Sequence, residues 1–258
     1  MEQVQAEKNL VLRIENLFKS YGGLEVLSDV HLEIRPHELH ALIGSNGAGK
    51  TTLFDIICGF TKPSRGRIEF LGRDITSLPP HHHAHLGIGR TFQITTLFRG
   101  ISVLENLRLT LEALPSTRAP FLKSGRFSER NLYPLKDLLA TWGLWETRNT
   151  PVAALPYGVQ RQLEIIMALL QRPKLLMLDE PMAGLEAGNR VSMMRLIKES
   201  AKDTTILFIE HDMTVALQLA NQVTMLHQGK IVTQGTVEEV QNNREVQRIY
   251  FGYEEKPA

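Results

Sequence analysis

The sequence predicts an α/β fold with a mainly parallel central sheet, an antiparallel β subdomain near its start and an inserted α-helical subdomain. Three observations predict it. The apolar run Leu39 to Ile43 passes through a glycine-rich turn into a helical pattern at Leu53 to Cys58. Two later apolar runs, Lys174 to Leu178 and Thr204 to Ile209, end in acidic residues, as expected of strands buried on both faces of a parallel sheet. Between these parts, Ile101 to Leu114 and Leu132 to Leu144 change to helical apolar spacing.

In chain order, Leu10 to Ile14 and Glu25 to Ile34 alternate apolar and polar residues around Tyr21-Gly22-Gly23 and read as two antiparallel strands. Tyr21 either stacks on a planar ring or caps the turn. After the helix at Leu53 to Cys58, the turn Thr61 to Gly66 leads into a short strand, Arg67 to Leu71. His81, His82, His83 and His85 raise the possibility of a metal site. Adjacent histidines on a helix point in different directions, and no cysteine or carboxylate cluster stands beside them, so a solvated helix start is expected. The helical insert has a Pro, Ser and Arg-rich connection, Pro115 to Arg130, and Trp142 and Trp145 read as packing residues near its end. It closes at Leu155-Pro156-Tyr157-Gly158-Val159, a sharp entry to the helix carrying Leu163, Ile166, Met167 and Leu170. Gly184 and Gly188 flank a loop before a helix at Val191 to Ala201; another follows at Val215 to Ala220. A hairpin, Val223 to Gln234, and a helical cap, Val237 to Tyr250, complete the chain. The boundaries expected are a core of residues 1–93 and 163–258 around a helical subdomain of residues 94–162.

Composition excludes several classes. With 258 residues, 43% hydrophobic and 22% charged, the chain can build one sizeable core. A net charge of +1 gives no electrostatic reason to expect nucleic acid. No apolar run approaches the roughly 18 residues that span a bilayer, and the charged start, Met1 to Asn9, is unlike a signal peptide, so any membrane role is expected to come through a partner. The single cysteine, Cys58, sits on an apolar helical face; it is expected to pack as a small hydrophobe in a reducing, cytosolic compartment.

The chemistry is concentrated in Gly44-Ser45-Asn46-Gly47-Ala48-Gly49-Lys50-Thr51-Thr52, which fits GxxxxGK[ST] at every fixed position. Glycines let successive backbone amides aim at phosphate oxygens, and the following helix adds the positive end of its dipole. Lys50 supplies a charge for the terminal phosphates, Thr51 a hydroxyl for Mg²⁺, and Thr52 a contact to an earlier phosphate. Asp179 and Glu180, side by side at the end of a buried strand, suit a metal carboxylate and a base for an attacking water. His211, ending the next strand, can reach the γ-phosphate and lock that water against Glu180. Gln93 on its own reads as an ordinary loop residue.

Across almost its full length the chain resembles the ATP-binding-cassette (ABC) ATPases, a branch of the P-loop NTPases. Gly44 to Thr52 resembles the Walker A motif, Leu175 to Glu180 Walker B with its catalytic glutamate, Gln93 the Q-loop and His211 the switch histidine. Leu155 to Val159 stands where that family has its LSGGQ signature, and Tyr21 where it places an adenine-stacking aromatic. Arg90-Thr91-Phe92-Gln93, Leu97-Phe98-Arg99, Val103-Leu104-Glu105-Asn106-Leu107, Leu163-Glu164-Ile165 and Ile249-Tyr250-Phe251-Gly252 resemble the ATPase subunits of branched-chain amino-acid importers in particular.

The resemblance implies ATP hydrolysis with Mg²⁺ held through Thr51, Gln93 and Asp179. It further implies head-to-tail pairing with a second ABC ATPase subunit, in which Pro156, Tyr157, Gly158 and Val159 meet the partner's ATP. Other implied partners are transmembrane permease subunits, contacted through Gln93 and the insert at the cytoplasmic face of the membrane, and indirectly an extracytoplasmic solute-binding protein. Pro156 replaces the signature serine and Val159 its glutamine, leaving backbone amides as the anion donors and favouring a related paralogue over self-pairing. Glu186 stands where the family often has Asp or Asn. The expected function is therefore to power import of branched-chain or other small amino acids. The alternatives are a soluble ABC ATPase acting on nucleic acid or ribosomes, a transporter of another small solute such as urea or an organic acid, or a regulator that binds nucleotide without hydrolysing it.

Overall fold

The computed structural model describes residues 10–91, 97–113 and 129–251, with 129–134 and 251 as backbone. The chain divides into two compact units: Met1–Arg90, Lys174–Pro181 and Ala201–Ala258 form one, Thr91–Pro173 and Met182–Ser200 the other.

The first unit holds two sheets. In the antiparallel one, β1 (Leu12–Tyr21) and β2 (Leu24–Ile34) pair with Leu12 opposite Ile34 and Ile14 opposite Leu32. Adjoining β1 is β4 (Arg65–Phe70), itself paired with the two-residue β5 (Arg73–Asp74). β1 runs past the expected end at Ile14. A register shift between Ile14 and Leu17, with Asn16 at φ 47°, breaks the alternation that marks a strand in the sequence.

The second sheet runs β10-β9-β3-β8-β7-β6. Its centre is β3 (Leu39–Ile43), β8 (Thr205–Ile209) and β7 (Leu175–Asp179), each buried along its whole length, which is why each reads as an unbroken apolar run. These strands are parallel, as are β9 (Gln222–His227) with β3 and β6 (Ile88–Arg90) with β7. β10 (Lys230–Thr236) adds the antiparallel edge. At three residues β6 is too short to show a period and was not expected.

Helix α1 (Lys50–Ile57) follows β3 and buries Leu53, Phe54, Ile56 and Ile57 in a core shared with Leu12, Leu27, Leu42, Met177 and Leu207. Cys58 lies in the same core, its Sγ 3.4 Å from Met177 Sδ, and burial pushes its thiol up to about 12. Helix α2 (Pro80–Leu86) leaves His81, His82 and His85 exposed, as expected of a solvated helix start, and corrects that expectation at His83 alone. His83 is buried, with Nδ1 2.8 Å from the Ile57 carbonyl and Nε2 3.1 Å from that of Ile75.

In the second unit, α3 (Val103–Glu112) starts at a capping box between Ser102 and Glu105. Buried Asn106 donates to the Phe98 and Ser102 carbonyls and accepts from the Phe98 amide, fastening the segment before the helix to its first turn. Helices α4 (Glu129–Thr141), α5 (Tyr157–Leu170) and α6 (Ala187–Ser200) complete the unit. Gly188 therefore lies inside a helix instead of bounding a loop, since α6 begins four residues before the expected start. Back in the first unit, α7 (Met213–Leu219) is capped by Asp212, and α8 (Val237–Gln241) and α9 (Arg244–Phe251) form the tail.

His83→Phe would remove the imidazole that contacts the buried Ile57 carbonyl, so thermal unfolding should show a loss of about 1–3 kcal/mol.

Candidate functional site

The geometry of the glycine-rich loop follows from how closely it is packed. Gly44, at φ 155°, lies where a Cβ would fall 2.1 Å from the Leu226 carbonyl oxygen at the end of β9. Gly49 caps α1 at φ 105°, and a Cβ there would meet the Leu27 side chain at 2.7 Å and the Val26 carbonyl at 3.0 Å. Between them Gly47 also takes a positive φ, 77°. At Gly44 and Gly49 only backbone fits, and at Gly47 the positive φ favours glycine. No side chain caps α1, and the amides of its first turn open toward the cleft.

That cleft is open and about 390 Å³ in volume. Its lining includes Asn46 to Thr52, Val26, Ile209, Glu180 and His211. Gly44 and Ser45 lie beneath, holding Lys50 with their carbonyls: its Nζ donates to Gly44 O at 2.7 Å and to Ser45 O at 2.9 Å. Lys50 is buried, and that burial lowers its pKa against the opposing pull of Glu180 and Asp179.

Glu180 follows β7 and continues its pairing through an amide bond to the Ile209 carbonyl. Its φ of 47° is left-handed, a conformation a glutamate adopts only where its surroundings impose it. The carboxylate thereby leaves the line of the strand and meets His211 Nε2 at 2.6 Å. Glu180 and His211, 31 residues apart, are brought together by the parallel neighbours β7 and β8.

Asp179, one residue earlier, points elsewhere and is buried. Arg90, at the end of β6, reaches its Oδ2 at 3.3 Å through Nη2, while Nη1 contacts Asp55 Oδ1 on α1 at 2.6 Å. Burial raises the Asp179 pKa, with Arg90 pulling the other way. In the sequence Arg90 is one residue of the run Arg90-Thr91-Phe92-Gln93, and nothing local marks it as a bridge. Only the missed strand β6 places it beside Asp179.

Of the remaining candidates, Tyr21 ends β1 with its ring half exposed and Lys19 Nζ 4.5 Å above it, outside the residues lining the cleft. Pro156, Tyr157, Gly158 and Val159 open α5. The amides of Val159 and Gln160 both bond to Pro156 O, which leaves those of Tyr157 and Gly158 at the helix mouth. The exposed Tyr157 ring lies over Gly184, where a Cβ would come within 3.3 Å of it, and Gly158 lies close against Asn189. Gln93 lies outside the described residues. A larger open cleft, about 540 Å³, includes Arg13, Glu15, Glu33 and Glu239 in its lining. Arg13 is paired there with Glu15 and Glu33, and Glu239 is bound into the cap of α8.

Gly44→Ala should cost about 1–3 kcal/mol of stability through the forced contact with Leu226 and weaken binding of ATP, as read by thermal unfolding and equilibrium nucleotide binding.

The sequence model of the ABC transporter family matches residues 27–183. The high-affinity branched-chain amino acid transport ATP-binding protein LivG of Salmonella typhimurium is 39% identical over 250 residues, covering 94% of this chain and 98% of that protein. BraF of Pseudomonas aeruginosa, described in the same terms, is 34% identical over the same span. The crystal structure of the ADP conformation of an ATP-binding cassette of an ABC transporter is similar with a TM-score of 0.80 and 29% identity, covering 95% of this chain and 99% of that one. A match over most of the chain, together with a glycine loop, a buried lysine and a Glu180–His211 pair around one cleft, shows that this chain belongs to the ABC transporter ATP-binding family and is an ATPase.

Proposed function

We propose that this ATPase powers the import of branched-chain or related small amino acids. The observation that carries the proposal is the similarity to LivG along 94% of the chain, accompanied by a complete hydrolytic pair. Among the described residues no helix is long and apolar enough to cross a membrane. In this reading permease subunits carry the transport path, and this chain acts at their cytoplasmic face. The cargo is selected by those subunits and by an extracytoplasmic binding protein.

In this reading, the loop amides and the open end of α1 receive the ATP phosphates, and Lys50 exchanges its two carbonyl partners for phosphate oxygens. The half-exposed Tyr21 ring takes the adenine face. Glu180 orients and deprotonates the attacking water, while His211 holds the Glu180 carboxylate and reaches the γ-phosphate. The donor set suits magnesium: the Thr51 hydroxyl in the cleft and the Asp179 carboxylate, with Gln93 as a further amide oxygen, are hard oxygen ligands. When bound, Mg²⁺ neutralises charge on the β- and γ-phosphate oxygens.

A second ATPase subunit completes the site. The free amides of Tyr157 and Gly158 face its γ-phosphate, without the hydroxyl that Pro156 displaces, which favours a related paralogue as the partner. Residues 94–162, with Gln93, transmit closure to the permease.

Glu180→Gln should retain ATP binding, accumulate an ATP-bound dimer and lower phosphate release by about 10²–10⁴-fold. Unimpaired hydrolysis in this variant would overturn the assignment of the base. Uptake of radiolabelled leucine by the reconstituted complex, with other solutes as competitors, tests the cargo.

A further inference from the structure

Arg90 belongs to no part of the phosphate-binding machinery described above, yet it is built into it. Its guanidinium is almost wholly buried, with 9% of the side chain exposed. It contacts two carboxylates from different elements: Asp55 on the helix that carries Lys50 and Thr51, and Asp179 at the end of β7. The Phe54 and Phe60 rings lie 5.9 and 5.7 Å from it. The two ionic contacts differ. The one to Asp55, at 2.6 Å, is short and lies on the side of α1. The one to Asp179, at 3.3 Å, is longer.

We propose that Arg90 is a positioning residue for the metal carboxylate: rooted on α1 by Asp55, it sets the orientation of the Asp179 carboxylate at the end of β7. This rests on the reading above that Asp179 helps to hold Mg²⁺. A guanidinium is suited to the task because its planar fork spans two carboxylates in a fixed geometry. The ammonium of a lysine, a point charge on a flexible stem, keeps the charge and loses that geometry. Asp55 acts at one remove: it contacts Arg90, and Arg90 contacts Asp179.

The test is equilibrium binding of a fluorescent ADP analogue to the full chain, titrated with Mg²⁺ and repeated in EDTA. Thermal unfolding confirms that each variant is folded. Arg90→Lys, Arg90→Gln and Asp55→Asn should each raise the Mg²⁺ concentration for half-maximal enhancement, about tenfold for Arg90→Gln and less for the others, while affinity in EDTA stays at the wild-type value. Combining Asp55→Asn with Arg90→Gln should add little to Arg90→Gln alone. An unchanged Mg²⁺ midpoint in folded Arg90→Lys and Asp55→Asn would overturn the proposal. So would an equal loss in EDTA, which would mark Arg90 as a packing residue only. Asp179→Asn separates the two readings. If it keeps the wild-type Mg²⁺ midpoint, the metal role of Asp179 is wrong; if it loses the enhancement while the Arg90 variants retain it, only the role of Arg90 is wrong.

Discussion

The contact on which the rest of the structure depends is the approach of the Gly44 backbone to the Leu226 carbonyl at the end of β9. It leaves no space for a side chain, and Gly49 repeats the constraint against β2. The loop is thus wedged between the ends of two strands from different sheets. That packing fixes the chain where it leaves β3 and where it enters α1, so the exposed residues Ser45, Asn46 and Gly47 are held between two anchored ends. Such preorganisation is what electrostatic binding of phosphate requires, because donors that must first be ordered lose part of their advantage.

Around that loop the sheet acts as a means of alignment. Three parallel strands, β3, β8 and β7, deliver Lys50, His211, Asp179 and Glu180 to one end, in agreement with the general placement of ligand sites at the carboxyl ends of such strands. Adjacent acids then take separate roles through backbone conformation. Asp179 is still in the strand and turns to Arg90, whereas Glu180 adopts the left-handed conformation and turns to His211. One change of φ between neighbours assigns one carboxylate to a buried ionic bridge and the other to the cleft.

Most of this was legible in the sequence because the signals are local. A GxxxxGK[ST] run, apolar stretches ending in acids, and alternating strands each announce their own structure. What was hidden depends on distant partners or on irregular backbone. The shift at Asn16 concealed half of β1, and the three residues of β6 carry no period. His83 looked like one of a polar run, and only the fold supplies the two carbonyls that explain its burial. Arg90 is an ordinary basic residue until β6 is set beside β7 and α1.

The ammonium of Lys50 is largely buried and held by two carbonyls of its own chain, so folding itself has met part of the cost of removing it from solvent. An incoming ligand does not dehydrate a free cation; it competes with two peptide dipoles. Neutral solutes and weak acceptors lose that competition, and a polyphosphate wins it by bringing full negative charge. Selectivity for highly charged anions is therefore present before any part of the nucleoside is recognised.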